Sequence, residues 1–261
     1  MKPLLAASLS LLILAGVAQA EWTPPEKPNP TTILREAQAD ARARRYEDAL
    51  AKHLWYHENA EKFDKGQSGV RRSFALSDWY DLAADYPPAL AKFEEVRETA
   101  RKTVLGAKHP KHVWNAFADY AAMSKKLGEQ EKVAELFLEL RDKNEKHAKE
   151  VYRLADAALI DADRFDVCGE FLDAEQEMDL QISGYEHNMK IAKERFGEQH
   201  RRYGEQRFRA EAARIVFILA KTDRADEAKE LAQQARDAWD DEKLNKALDE
   251  ALAGKKPKAF P

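Results

Sequence analysis

The chain has little proline, little glycine and a single cysteine. Gly and Pro number ten each in 261 residues, so residues that break helices are scarce. Val and Ile together occur 16 times against 44 alanines, and this balance disfavours a β-sandwich, a barrel or a Rossmann sheet. The lone Cys168 excludes an internal disulfide framework and a zinc site built from several thiolates. Because its neighbours are apolar, we expect Cys168 to be a buried, unreactive thiol.

A strong excess of charge of either sign is also missing. Charged residues make up 34% of the chain, but the formal net charge is only −4. A mildly acidic protein has no general attraction for nucleic acid or for anionic membranes, so we expect no nucleic-acid partner. The chain also lacks a Gly-rich phosphate loop and a Gly-x-Ser-x-Gly turn, and we expect no cofactor and no catalytic residues of these types.

The first twenty residues have the pattern of a secretory signal peptide. Lys2 precedes an apolar run over 4–17, and Ala18-Gln19-Ala20 then provides a small-x-small cleavage site. This order predicts a signal peptide over 1–20, cleavage between Ala20 and Glu21, and a periplasmic or secreted protein. No later segment reaches the ~18 apolar residues that a membrane span needs.

The remaining chain divides into three parts. The segment 21–31 contains four prolines and is predicted to be an extended, Pro-rich linker. A helical domain follows over 32–253, and we expect Thr31 and Thr32 to cap its first helix near Ile33. The last residues, 254–261, read GKKPKAFP and are predicted to be a flexible tail.

Five segments of the helical domain repeat one spacing. In the first, Tyr46 is followed by Ala49, Leu50, His53 and Tyr56, which places the apolar side chains on one face of a helix after a turn. Each segment therefore predicts a pair of antiparallel helices joined by a short turn. The equivalent small-residue positions are Ala49, Ala89, Val133, Cys168 and Ala228.

These segments resemble the tetratricopeptide repeat. RRYEDALAKH and KTDRADEAKEL are similar to its pattern of a small residue in each helix near the helix–helix turn, although the first copies lie about 40 residues apart rather than about 34. HLWYHENA followed by GVRRSFALSDW also resembles uncharacterised exported bacterial proteins of this type. The resemblance covers about 33–240 and implies an all-α solenoid of stacked antiparallel hairpins, with about 10–12 helices. Residues 181–202 lack the repeat pattern, and we expect them to add a helix bounded by Gly197 and Gly204.

The resemblance also implies a binding surface. Arg71, Phe74, Asp78 and Leu82 are predicted to form one stripe of a first helix, and such stripes line the concave groove in this family. Arg and Trp are frequent at binding hot spots, and Trp79 lies on the adjacent stripe. The alternative is that these charges pair locally and that Trp79 packs in the core. The candidate binding residues are Arg71, Arg72, Asp78, Trp79, Asn115 and Lys125.

A metal site is the other candidate. His53, His57 and Glu61 share one helix face and are residue types that bind zinc. The segment HLWYH lacks the Glu of the zinc-protease motif, so we expect half-buried histidines and no bound metal.

Two functions follow from the sequence. The leading hypothesis is a non-catalytic scaffold that binds a protein or peptide partner in the cell envelope through its concave face. The alternative is a cell-envelope enzyme of unrecognised type that depends on a metal held by His53 and His57.

Overall fold

A computed structural model describes residues 22–258 of the chain, and within that range the protein is all-α, as predicted. Eleven helices of eleven or more residues fall within this range, which agrees with the expected number. The predicted signal peptide and its cleavage site lie outside the described residues, as do 259–261. None of the helices in 22–258 combines the length and the apolar character of a membrane span.

The chain divides into two compact units, the first ending at Ala91 and the second beginning at Lys92. Helix α5 begins in the first unit and ends in the second. The helices of the first unit are α1 (Pro30–Arg42), α2 (Tyr46–Phe63), α3 (Gln67–Arg71), α4 (Phe74–Asp85) and the start of α5 (Pro87–Gly106). Those of the second unit are α6 (Pro110–Leu127), α7 (Glu131–Lys143), α8 (Glu145–Asp161), α9 (Phe165–Phe171), α10 (Ala174–Ile191), a π-helix (Ala192–Phe196), α11 (Gly197–Lys221), α12 (Ala225–Ala238) and α13 (Glu242–Leu252).

The predicted turns between helices are confirmed. Tyr46 follows the turn between α1 and α2, Tyr86 separates α4 from α5, and Gly128 ends α6 in the left-handed conformation with φ of 72°. The small-residue positions of all five segments are buried, as a close helix crossing requires. These positions are Ala49, Ala89, Val133, Cys168 and Ala228.

The start of α1 differs from the prediction. Asn29, not Thr31 or Thr32, is the N-cap, and its Oδ1 accepts a hydrogen bond from the Thr32 backbone N–H at 3.0 Å. The helix begins at Pro30 because proline at the first helical position has no N–H to leave unsatisfied.

The segment before α1 packs against the first unit. The Trp22 ring meets Trp55 edge-on, with centroids 6.4 Å apart, and the Lys52 ammonium lies 5.6 Å from the Trp22 centroid. An aromatic pair and a cation–π contact of this kind each stabilise by about 0.5–1 kcal/mol. Trp22 therefore ties the Pro-rich segment to α2.

The predicted single helix over 71–82 is wrong. Helix α3 ends at Arg71, and α4 begins at Phe74 after Ser73, whose φ of −126° and ψ of −94° are not helical. The Ser73 hydroxyl donates to the Gly69 carbonyl at 2.7 Å, and such local hydrogen bonds compete with the helical ladder. Arg71 and Asp78 consequently belong to different helices.

The region 181–202 is also organised differently from the prediction. Helix α10 runs to Ile191 and continues through the π-helix into α11, so that α10 and α11 form a long hairpin. Gly197 lies at the end of the π-helix with φ of 67°, but Gly204 lies inside α11. A Cβ on Gly204 would be 2.8 Å from the Asn188 Cβ, so this glycine permits the close approach of α10 and α11.

Candidate functional site

Four of the six predicted binding residues lie in the first unit and have partners there. The Arg71 Nε donates to the His57 carbonyl, and the Asp78 Oδ2 accepts from the Gln38 Nε2 at 2.7 Å. Trp79 is only 1% exposed, and its indole N–H donates to the Ala89 carbonyl at 3.1 Å. The geometry therefore agrees with the alternative interpretation, in which these charges pair locally and Trp79 packs in the core. The Trp79 ring is not accessible to a partner.

Arg72 and the remaining two residues are more accessible. The Arg72 Nη1 lies 3.7 Å from a carboxylate oxygen of Glu61. Asn115 and Lys125 belong to α6 in the second unit, where Asn115 is half-buried and Lys125 is exposed.

The two histidines of α2 are buried. His53 is 2% exposed, its Nε2 has no hydrogen-bond partner among residues 22–258, and burial lowers its pKa to about 4. The His57 Nε2 lies 3.3 Å from the Arg71 guanidinium, whose positive charge disfavours a metal cation beside it. No group of three potential metal ligands is present among the described residues.

The second unit contains a buried group of charges, which we call the charge cluster: Arg153, Asp156, Glu177, Glu211 and Arg214. Arg214 lies 2.9 Å from Asp156 and 3.0 Å from Glu211, and it also donates to Glu177. Arg153 contacts the same three carboxylates from the more exposed side. The cluster therefore ties α8, α10 and α11 together, and removing one buried charge would leave its partners uncompensated.

The neighbouring carboxylates keep Arg214, at the centre of the charge cluster, positively charged. Burial opposes the charge of Arg214, but the carboxylates of Asp156, Glu177 and Glu211 outweigh it and raise the pKa of the guanidinium. Arg214 remains a permanent cation at any physiological pH. With each of its carboxylates shared between two arginines, the cluster has a structural role.

A groove lies on the surface beside the cluster and is our candidate site. It has a volume of about 400 Å³, within the usual range of ligand sites. Helices α11 and α13 form two of its walls, and the residues Lys255–Lys258, which we call the tail segment, form the third. We call it the tail groove, and its lining residues are Gln206, Arg209, Ala210, Ala213, Ala247, Glu250, Lys255, Lys256, Pro257 and Lys258.

The floor and the rim of the tail groove have different chemistry. Ala210 and Ala213 of α11 and Ala247 of α13 contribute small apolar side chains, which leave room for another chain close to the helices. The rim carries four cationic side chains against one carboxylate, Glu250. A hydrogen bond from Lys255 lowers the pKa of Glu250, so this carboxylate stays ionised and paired.

Arg209 is the polar group of the groove that is best placed to bind a ligand. Its guanidinium lies 5.6 Å from the Trp239 ring centroid, and its Nη2 is 3.5 Å from an Asp241 oxygen. Its Nε is buried and has no hydrogen-bond partner among the described residues. A buried donor without an acceptor costs free energy, and the guanidinium as a whole is a cation that can pair with a carboxylate bound in the groove.

The tail segment is held against the second unit. Gly254 ends α13 with φ of 75°, and the Lys255 N–H donates to the Glu250 carbonyl at 2.9 Å. The Lys256 ammonium donates to Asp161 and lies 3.4 Å from the Ile160 carbonyl at the end of α8, where the helix dipole favours a cation. Residues 256–258 also close a smaller cavity of about 190 Å³ next to the charge cluster.

Sequence reasoning missed the tail groove. The residues 254–261 are predicted to be a flexible tail, although a glycine after the last helix and a run of lysines are also a signal for capping a helix end. Arg209 carries no signal of its own, because it is one of many arginines in α11.

No family model matches the chain, and no curated protein or solved structure matches it.

Proposed function

We propose that the protein is an exported, tetratricopeptide-like helical-repeat protein that binds an acidic peptide segment of a partner in the tail groove. The export pattern over 1–20 and the five repeated segments of the helical domain support a cell-envelope scaffold, in which helical hairpins would stack as a solenoid. The observation that carries the proposal is the cationic lining of the groove, with Arg209 beside a floor of alanines. We place the site here rather than around Arg71 and Asp78, whose side chains are engaged within the first unit.

The chemistry of the groove selects the ligand. A peptide backbone can approach the helices closely over Ala210, Ala213 and Ala247, because their side chains are small. Carboxylates of the peptide would pair with Arg209 and with Lys258, whose ammonium has no ion pair within residues 22–258. Charge-assisted hydrogen bonds of this kind are about twice as strong as neutral ones.

The proposal is tested with a fluorescein-labelled peptide of alternating glutamate and alanine. We expect saturable binding that weakens with added salt, and no binding of the matching lysine–alanine peptide. Arg209→Gln should weaken binding about tenfold or more, because a hydrogen bond between charged groups contributes about 1.5–3 kcal/mol. Fluorescence anisotropy measures both effects.

Two further variants control the result. Arg207→Gln removes an exposed arginine of the same helix that does not line the groove, and it should bind like the wild type. Lys258→Gln tests the rim independently of the contacts that Arg209 makes with Trp239 and Asp241, and it should also weaken binding. Equal affinity of the Arg209, Lys258 and Arg207 variants would exclude the tail groove as the site.

A further inference from the structure

The hairpin of α10 and α11 ends in an exposed aromatic strip, which precedes the α11 residues of the tail groove in the sequence. Phe196 at the end of the π-helix is 62% exposed, and Tyr203 in α11 is 48% exposed. The His200 ring lies between them, with centroids 5.3 Å from Phe196 and 6.3 Å from Tyr203. We call residues 193–203 the hairpin tip, and its three rings form one continuous strip.

The hairpin tip is also cationic. It contains four cations against two carboxylates, in a protein whose net charge is −4. Glu198 accepts hydrogen bonds from Arg201 and Arg202, which lower its pKa to about 2. Lys193 and Arg195 are exposed and form no ion pair within residues 22–258, so their charges face solvent.

The backbone of the tip departs from a regular helix. The π-helix over Ala192–Phe196 ends at Gly197, whose φ of 67° is accessible to glycine without strain. Single-turn π-helices are frequent at functional sites. The His200 Nε2 is buried without a hydrogen-bond partner in the described chain, and the ring packs between those of Phe196 and Tyr203.

We propose that the hairpin tip docks on a lipid surface that carries anionic headgroups. Aromatic rings concentrate at the membrane–water interface, and each nearby Lys or Arg is attracted by the negative surface potential. Peripheral binding needs two such signals together, an apolar anchor and a basic patch. An acidic protein would pair with Lys193 and Arg195 but would need a shaped recess for Phe196, whereas a fluid headgroup layer accepts the ring directly.

The experiment is flotation of the full chain with lipid vesicles. Vesicles of equimolar phosphatidylglycerol and phosphatidylcholine should bind the protein, and vesicles of phosphatidylcholine alone should bind it at least about tenfold more weakly. The double variant Lys193→Gln/Arg195→Gln and the single variant Phe196→Ser should each reduce partitioning onto anionic vesicles by about tenfold. Circular dichroism verifies that each variant is folded.

Matched controls separate the tip from general surface effects. Leu180 in α10 is also 62% exposed, and Leu180→Ser should leave partitioning unchanged. Lys125→Gln/Lys126→Gln removes two exposed cations from α6 and should likewise have no effect. Equal binding to both vesicle types would overturn the proposal. Loss of binding in the cation variant without loss in Phe196→Ser would also overturn it, because the tip would then be a site for soluble polyanions or acidic proteins.

Discussion

His53 couples the stability of the first unit to pH. Its imidazole is buried, and burial lowers its pKa from 6.5 to about 4. The folded state therefore binds a proton less readily than the unfolded state, so this stabilisation is present above pH 6.5 and is lost as the pH falls toward 4. From this shift we expect the free energy of unfolding to decrease by about 2 kcal/mol between pH 7 and pH 5.

Urea unfolding at the two pH values measures this effect. His53→Gln removes the titrating group, and its free energy of unfolding should vary about 2 kcal/mol less over this interval than that of the wild type. His187 is exposed in α10, so His187→Gln should keep the pH dependence of the wild type. An unchanged pH dependence in the His53 variant would show that His53 is not the responsible group.

Ala228 tests how tightly the helices cross at the repeated small-residue positions. It is fully buried in α12, and a larger side chain there must displace its neighbours. We expect Ala228→Leu to lower the free energy of unfolding by about 1–3 kcal/mol. Ala225, the exposed first residue of the same helix, supplies the control: Ala225→Leu should change stability by less than about 0.5 kcal/mol. Equal effects of both substitutions in thermal or urea unfolding would refute the close crossing.

At the scale of elements, replacing either of two glycines in the hairpin of α10 and α11 with alanine should change stability in opposite directions. A Cβ on Gly204 would lie 2.8 Å from the Asn188 Cβ and 2.9 Å from the Met189 Cε, whereas a Cβ on Gly184 meets nothing within 4 Å. Gly204→Ala should therefore separate α10 from α11 and destabilise by about 1–3 kcal/mol.

Gly184→Ala should stabilise by about 0.5–1 kcal/mol, because alanine loses less entropy than glycine in a helix. Urea unfolding of both variants measures the pair. Two substitutions of the same sign would contradict the packing of α10 against α11 at Gly204.

The existence of the helices was predictable, and some of their boundaries were not. The spacing after Tyr46 identified α2 correctly because apolar periodicity reports which face is buried. The resemblance to the tetratricopeptide repeat predicted one helix through Ser73, because a repeat pattern does not register a serine hydroxyl that donates to the Gly69 carbonyl. The π-helix before Gly197 was not predictable either, because a one-residue change in hydrogen-bond register leaves the apolar pattern nearly intact.

For the whole molecule, the net charge of −4 conceals where the charges lie. The sequence predicted no general attraction for nucleic acid or for anionic membranes, yet the tail segment and the hairpin tip are both locally cationic. The tail groove unites side chains from α11 and α13 with Lys255–Lys258, and a single sequence does not show that these segments meet. By contrast, the burial of Cys168 was predictable from its apolar neighbours and is confirmed.

Binding of an acidic peptide segment in the tail groove would cover the residues of α11, α13 and the tail segment that line it. Hydrogen–deuterium exchange of the full chain, with and without the glutamate–alanine peptide at saturation, tests it most directly, because amides covered by a ligand open less often. We predict slower exchange in 206–213 and 247–258 when the peptide is bound. Protection confined to 71–82, or no change in the two groove segments, would show that the peptide does not bind in the tail groove.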